Sequence, residues 1–137
     1  MFEITKEHKF EAAHRLVKGY PGKCKHLHGH SWVVKVTVAD EELDKYDMAF
    51  DFGSFKPLWK WIDDMLDHAT IVSREDADLC AWLTDRGQRI YITEANPTSE
   101  VLCRVIYDEA KRLGIPVSAV EINETCTSAA RWFEKGI

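Results

Sequence analysis

Apolar and polar residues alternate along the first segment of the chain. Phe2, Ile4, Phe10 and Ala12 fall on even positions up to His14, the period of a strand with one buried face. The alternation returns more strongly over residues 31–39, where Trp32, Val34, Val36 and Val38 are set against Lys35 and Thr37. Residues 17–22, with two glycines and a proline, are turn chemistry, and the acidic run 40–47 reads as a loop. The period then changes. Phe55, Leu58, Trp59, Ile62, Met65 and Leu66 line one face of a helix, with Ser54 as its expected N-cap, Pro57 in its first turn and its end near Asp67 and His68. Ser73 and Asp76 are expected to cap a shorter helix through Leu83, and residues 89–93 to form a short strand. The run Asn96, Pro97, Thr98, Ser99, Glu100 opens a second long helix. Val101, Leu102, Val105, Ile106, Ala110 and Leu113 form its apolar face, and Gly114 its stop. Strands over 117–127 and 129–133 close the chain.

Strands in adjacent pairs with helices between the pairs predict an α+β fold: an antiparallel sheet covered on one face by two main helices, with extra short elements in residues 73–95. No repeat or linker interrupts the pattern, so residues 1–137 are expected to form one domain. A chain of 137 residues can bury about two-thirds of its unfolded surface. Its 45% hydrophobic and 11% aromatic content excludes a disordered chain. No apolar run approaches the ~20 residues of a membrane span, and residues 1–7 lack the long apolar stretch of a secretory signal. A cytoplasmic location is expected. The net charge of −5 argues against nucleic acid as a partner.

That net charge conceals an asymmetry. No acidic residue occurs between Ala12 and Ala39, a stretch holding Arg15, Lys18, Lys23, Lys25 and Lys35 with His14, His26, His28 and His30. Such a segment is either a basic surface loop or a place for a small anion or a metal. His28 and His30, two apart on a strand, point to one face with Cα atoms about 6.6–7 Å apart, close enough to share one ion. His14 could add a third imidazole if the two strands pair, leaving a tetrahedral ion one open position. Cys24 admits two readings: a thiolate completing a structural site, or a thiol beside the ion that acts as a base. His26 reads as a surface or supporting residue and His8 as an ordinary strand histidine. Asp67 and His68 could be a proton-transfer pair, although the dipeptide alone reads better as a histidine favoured by the C-terminal end of a helix. Glu124 shares the parity of Val120 and Ile122, so an acid stands where an inward apolar residue is expected. Donors from a bound heterocycle or an internal salt bridge would account for it. Cys80 and Cys103 fall within helical segments as core thiols.

Five pieces in order resemble the 6-pyruvoyl-tetrahydropterin synthase superfamily: residues 10–16 (Phe-Glu-Ala-Ala-His-Arg-Leu), Cys24 with His28-Gly29-His30, Leu66-Asp67-His68, residues 96–100 (Asn-Pro-Thr-Ser-Glu) and Glu124-Thr125-Cys126-Thr127. The three-residue gap between Cys24 and His28 resembles the branch that forms 6-carboxy-5,6,7,8-tetrahydropterin for queuosine. The pyruvoyl-forming branch tends to a longer gap, and the folate-pathway variant tends to glutamate in place of the cysteine. The resemblance implies a tunnelling fold and Zn2+ held by His14, His28 and His30. It also implies Cys24 as general base, Asp67 and His68 as proton relay, and Glu124 gripping the pterin. It further implies a homohexamer, a dimer of trimers, with sites at subunit contacts and 7,8-dihydroneopterin triphosphate as substrate. The basic stretch around Arg15, Lys18, Lys23 and Lys25 would receive the triphosphate. Two departures stand out: no asparagine follows the Asp67–His68 pair closely, and residues 73–95 are longer than in compact members. The alternatives are triphosphate elimination giving 6-pyruvoyl-tetrahydropterin, and a non-catalytic pterin-binding module whose zinc is closed by Cys24.

Overall fold

The computed structural model describes residues 1–135 of the chain. Two thirteen-residue strands, β1 (Phe2–His14) and β2 (His28–Asp40), pair antiparallel along their whole length, from Phe2 opposite Asp40 to His14 opposite His28. The register sets even positions of both strands on one face. Phe10, Trp32, Val34, Val36 and Val38 are buried there, and the Phe10 and Trp32 rings stack at 5.9 Å. Odd positions carry Glu7, Lys9, Glu11 and Lys35. Lys35 lies 3.6 Å from Glu7 and 3.5 Å from Glu121, so this face stays polar.

Two helices cover the apolar face, α1 (Lys56–Met65) and α3 (Ser99–Arg112), through Leu58, Ile62, Leu102 and Ile106. A short 3-10 turn, Phe52–Phe55, precedes α1, and its cap is Asp51, whose carboxylate accepts the Gly53 N–H, rather than Ser54. The extra turn moves the start of α1 to Lys56. Met65, counted above on the apolar face, is 41% exposed because α1 ends there, while Leu66 is fully buried. Thr98 caps α3 by accepting the Val101 N–H, and Gly114 with φ +82° follows its end. Strands β5 (Val117–Thr125) and β6 (Ser128–Phe133) extend the sheet beyond β2.

The sheet is mixed where an antiparallel one was expected. Strand β3 (Ala69–Ser73), absent from the pattern reading, runs parallel to β1, and β4 (Ile90–Thr93) runs parallel to β3, giving the order β4-β3-β1-β2-β5-β6. The short helix α2 (Ala77–Asp85) joins them. Ile71 belongs to the main core, whereas its neighbour Val72 packs with Leu79 and Leu83 of α2. Side chains alternate between the faces of a strand, so α2 covers the face opposite α1 and α3. A strand buried on both faces loses its alternation, which is why β3 gave no strand signal. Residues 73–95 thus hold α2 and β4. Among the described residues no helix is long and apolar enough to cross a membrane.

Asp76 does not cap α2 with its side chain. Its carboxylate instead accepts two hydrogen bonds of 2.7 Å from the Arg15 guanidinium, tying the exit of β1 to the start of α2. Arg15 thus has a carboxylate partner in this chain. The Arg15 hydrogen bonds hold the Asp76 carboxyl below its ordinary pKa against the opposing effect of burial. A depressed acid stabilises the fold above its unfolded pKa of about 3.9 and loses that contribution as pH falls through the folded value. Asp76→Asn should cost about 1–3 kcal/mol in urea unfolding at neutral pH. The gap from wild type should close below about pH 4; a gap independent of pH would remove the charge of Asp76 from the account.

Candidate metal centre and its surroundings

The β1–β2 register places His14 opposite His28 and the small Ala12 opposite His30, so the three imidazoles share the helix-covered face at the strand ends. Their ring centroids lie 4.6, 5.2 and 4.8 Å apart. Trp32 forms a wall beside them, edge-on to His14 at 5.0 Å and to His30 at 5.2 Å, and its indole N–H donates to the Ala12 carbonyl. Glu124 arrives from β5. It lies one residue past the last β2–β5 register pair, Val33 with Asn123, and within the register shift between β5 and β6. Such an irregularity re-aims a side chain.

One ligand atom from each of His14, His28, His30 and Glu124 lies within 4.8 Å of the others, so the four could hold a metal ion. The Nε2 atoms of all three histidines are buried without a hydrogen-bond partner. Glu124 Oε1 comes within 3.1 Å of His14 Nε2 and 3.2 Å of His30 Nε2, but out of line for a hydrogen bond. Ligands bound at 2.0–2.1 Å to one tetrahedral ion sit about 3.3 Å apart, so the carboxylate has the spacing of a co-ligand. The Nδ1 atoms face the other way. That of His14 donates to the Pro97 carbonyl at 2.7 Å and that of His28 to the His26 carbonyl at 2.6 Å. A carbonyl can only accept, so both rings present Nε2 lone pairs to the cluster. Burial pushes the pKa of His14 and His30 below the ordinary imidazole value, favouring the neutral, ligating form.

Cys24 is not in this group. It sits in a short 3-10 turn, Lys23–Lys25, whose Cys24 carbonyl accepts the Leu16 N–H at 2.9 Å, which ties the turn to the segment just after His14. The fourth convergent ligand is thus a carboxylate, not the thiol. Asp67 and His68 are not in the group either: they lie on the β3 side of β1, while His28 and His30 lie on the β2 side. Asp67 accepts the Glu11 N–H at 2.8 Å and the His68 Nδ1–H at 2.8 Å, and the Glu11 bond foremost lowers its pKa. His68 holds a left-handed backbone, φ +60°, past the end of α1, and its ring is 77% exposed. The pair is held as a unit rather than as the last turn of a helix.

Two cavities meet at His30. One of about 440 Å³ is lined by His68, Thr70, Arg89 and Ser31, and one of about 660 Å³ by Glu124, Asn123, Lys9 and Cys126. Either is large enough for a bicyclic heterocycle with a polar tail. The Arg89 guanidinium is fixed beside Asp67 by the carbonyls of Asp63 and Asp64. Sequence reading missed the Pro97 carbonyl and the Arg15–Asp76 pair, for which the residue types carry no signal.

Fold and cluster together define an α+β protein with a candidate three-histidine, one-carboxylate cation site at the ends of its central strands. Residues 3–135 match the family model of 6-pyruvoyl tetrahydropterin synthase, and the chain belongs to that family. An Aquifex aeolicus protein named 6-carboxy-5,6,7,8-tetrahydropterin synthase is 34% identical over 98% of this chain and 99% of its own length. A Rickettsia typhi protein of the same name is 39% identical over 73% of each chain. Among solved structures, an uncharacterized protein from Wolinella succinogenes matches with a TM-score of 0.81 at 25% identity, covering 98% of both chains. The 6-pyruvoyl tetrahydropterin synthase of Caenorhabditis elegans matches with a TM-score of 0.72 at 23% identity over 98% of this chain and 96% of its own, a likeness of fold alone.

Metal-free protein should take up about one zinc or cobalt ion per chain in a calorimetric titration. His28→Ala should weaken that uptake at least 100-fold while the fold persists, since His28 lies at the strand end rather than in the core. Unchanged uptake would dismiss the cluster as a metal site.

Proposed function

We propose that the chain is a zinc enzyme converting 7,8-dihydroneopterin triphosphate to 6-carboxy-5,6,7,8-tetrahydropterin, with release of acetaldehyde and triphosphate, in cytoplasmic queuosine biosynthesis. The observation that carries this reading is the set of three buried, unpartnered imidazole nitrogens beside a carboxylate in a chain of this family. The relatives named for the carboxy product, together with the Cys24–His28 gap, favour that branch over the pyruvoyl one.

His14, His28 and His30 would hold the ion through Nε2, and the chemistry the ion supplies when bound is Lewis acidity toward side-chain hydroxyls. Glu124 would accept two parallel N–H bonds from the amino-pyrimidine edge of the pterin. Cys24 would act as the base at the side chain. Asp67 holds the Nδ1–H of His68, so the ring exchanges protons through Nε2. The resemblance implies sites at subunit contacts, so the exposed ring of His68 in one subunit would serve the metal centre of another. A homohexamer, a dimer of trimers, is part of the reading through the family resemblance. A second role for Glu124 is favoured by its 3.1 and 3.2 Å approaches to two ligand nitrogens: fourth ligand in the substrate-free protein.

Mass spectrometry of products from the triphosphate should find acetaldehyde with the carboxy product. A pyruvoyl product without acetaldehyde would replace cleavage by elimination. Cys24→Ala should stay folded with about one zinc per chain and lose turnover about 10²–10⁴-fold. Loss of metal and stability together would instead make the chain a zinc-stabilised pterin-binding module. Glu124→Gln should raise KM and keep the metal if the carboxylate grips the pterin, whereas a ligand role predicts weaker metal binding by the substrate-free variant.

A further inference from the structure

The three histidines are not held alike. His28 takes its Nδ1 acceptor from the His26 carbonyl, two residues back in its own segment. His14 takes its acceptor from the Pro97 carbonyl, 83 residues away, in the turn before α3. Nothing local to β1 guarantees that this carbonyl arrives. Trp32 limits the tilt of the His14 ring from one side, but an aromatic edge does not select which ring nitrogen carries the proton.

The side chain of Asn96 closes that gap. Its Oδ1 accepts the Val17 N–H at 2.9 Å, and its Nδ2 donates to the Val17 carbonyl at 3.2 Å. This two-point clasp seizes the backbone three residues beyond His14, so the turn carrying the acceptor and the strand carrying the ring are locked together. The turn is itself tight, since the Asn96 carbonyl accepts the Thr98 N–H at 2.8 Å across Pro97, and Thr98 in turn caps α3. A carboxamide carries its acceptor and its donor on separate atoms, so it can take the N–H and the carbonyl of one residue together. An aspartate here would set an oxygen against the Val17 carbonyl.

We infer that Asn96 is a positioning residue for His14, holding the Pro97 carbonyl where it fixes the ring with hydrogen on Nδ1 and the Nε2 lone pair aimed at the cation. The role in metal binding rests on the reading of the cluster as a metal centre, and the orientation of the ring does not. Outer partners of ligating histidines fix the tautomer, and losing them weakens metal affinity about 10–100-fold.

The test uses Asn96→Ala and Asn96→Asp with Asp51→Ala as control. Asp51 caps a turn near Phe2, at the opposite end of β1 from His14, so its loss lowers stability without touching the clasp. Zinc affinity is read by competition with a chromogenic chelator, and the His14 tautomer by nitrogen-15 NMR of the metal-free protein. Wild type should give about one zinc per chain and a single Nδ1–H form of His14. Both Asn96 variants should bind zinc about 10–100-fold more weakly and give mixed His14 tautomers, while Asp51→Ala matches wild type in both. Unchanged affinity and tautomer in Asn96→Ala, or an equal loss in Asp51→Ala, would overturn the inference. If wild type takes up no zinc, the metal reading fails, and the metal-free tautomer measurement still decides the role of Asn96.

Discussion

The pairing register of β1 with β2 is the constraint from which the site follows. His14 opposite His28, with Ala12 opposite His30, gathers three imidazoles on one face and leaves room for their rings. Strand side chains repeat every two residues, so a slip of one residue would send His28 and His30 to the polar face. The register is held by burial far from the histidines. Phe10 and Trp32, then Val34, Val36 and Val38, must all face α1 and α3, and each such side chain contributes about 1.5–3 kcal/mol when removed from water. The hydrophobic core thus sets the geometry of a polar centre at its end.

Around that centre the polar groups are shared out with little redundancy. Pro97 and His26 occupy the outward ring nitrogens, Trp32 walls the inward side, and Arg15 with Asp76 anchors the chain as it leaves β1. The Nε2 atoms of the trio have no hydrogen-bond partner, and neither does the nearby Asn123 Oδ1. Buried polar atoms are normally hydrogen-bonded, so three lone pairs converging on one point have the chemistry of a cation site. Asp67 and His68 are strapped to Glu11 on the β3 side of β1, and His68 lines a cavity that reaches His30.

Elements with one buried face were legible in the sequence, which is why β1, β2 and the apolar face of α3 emerged from periodicity alone. Strand β3 was not, because Ile71 and Val72 are buried against opposite sides and erase the alternation. The histidine trio was legible through the two-residue spacing of His28 and His30, and Glu124 through its parity with Ile122. Cys24 looked like a neighbour because it is close in sequence, yet the 3-10 turn keeps its thiol out of the convergent group. The clasp of Asn96 on Val17 joins residues 79 apart and the Arg15–Asp76 pair residues 61 apart, and such contacts leave no periodic trace.

X-ray absorption at the zinc edge, on the loaded protein without substrate, reads the ligand shell of the ion itself. Three imidazole nitrogens and an oxygen ligand should appear at about 2.0–2.2 Å, with no sulfur near 2.3 Å. A sulfur in the shell, or fewer than three imidazoles, would rule out the three-histidine centre with a free Cys24.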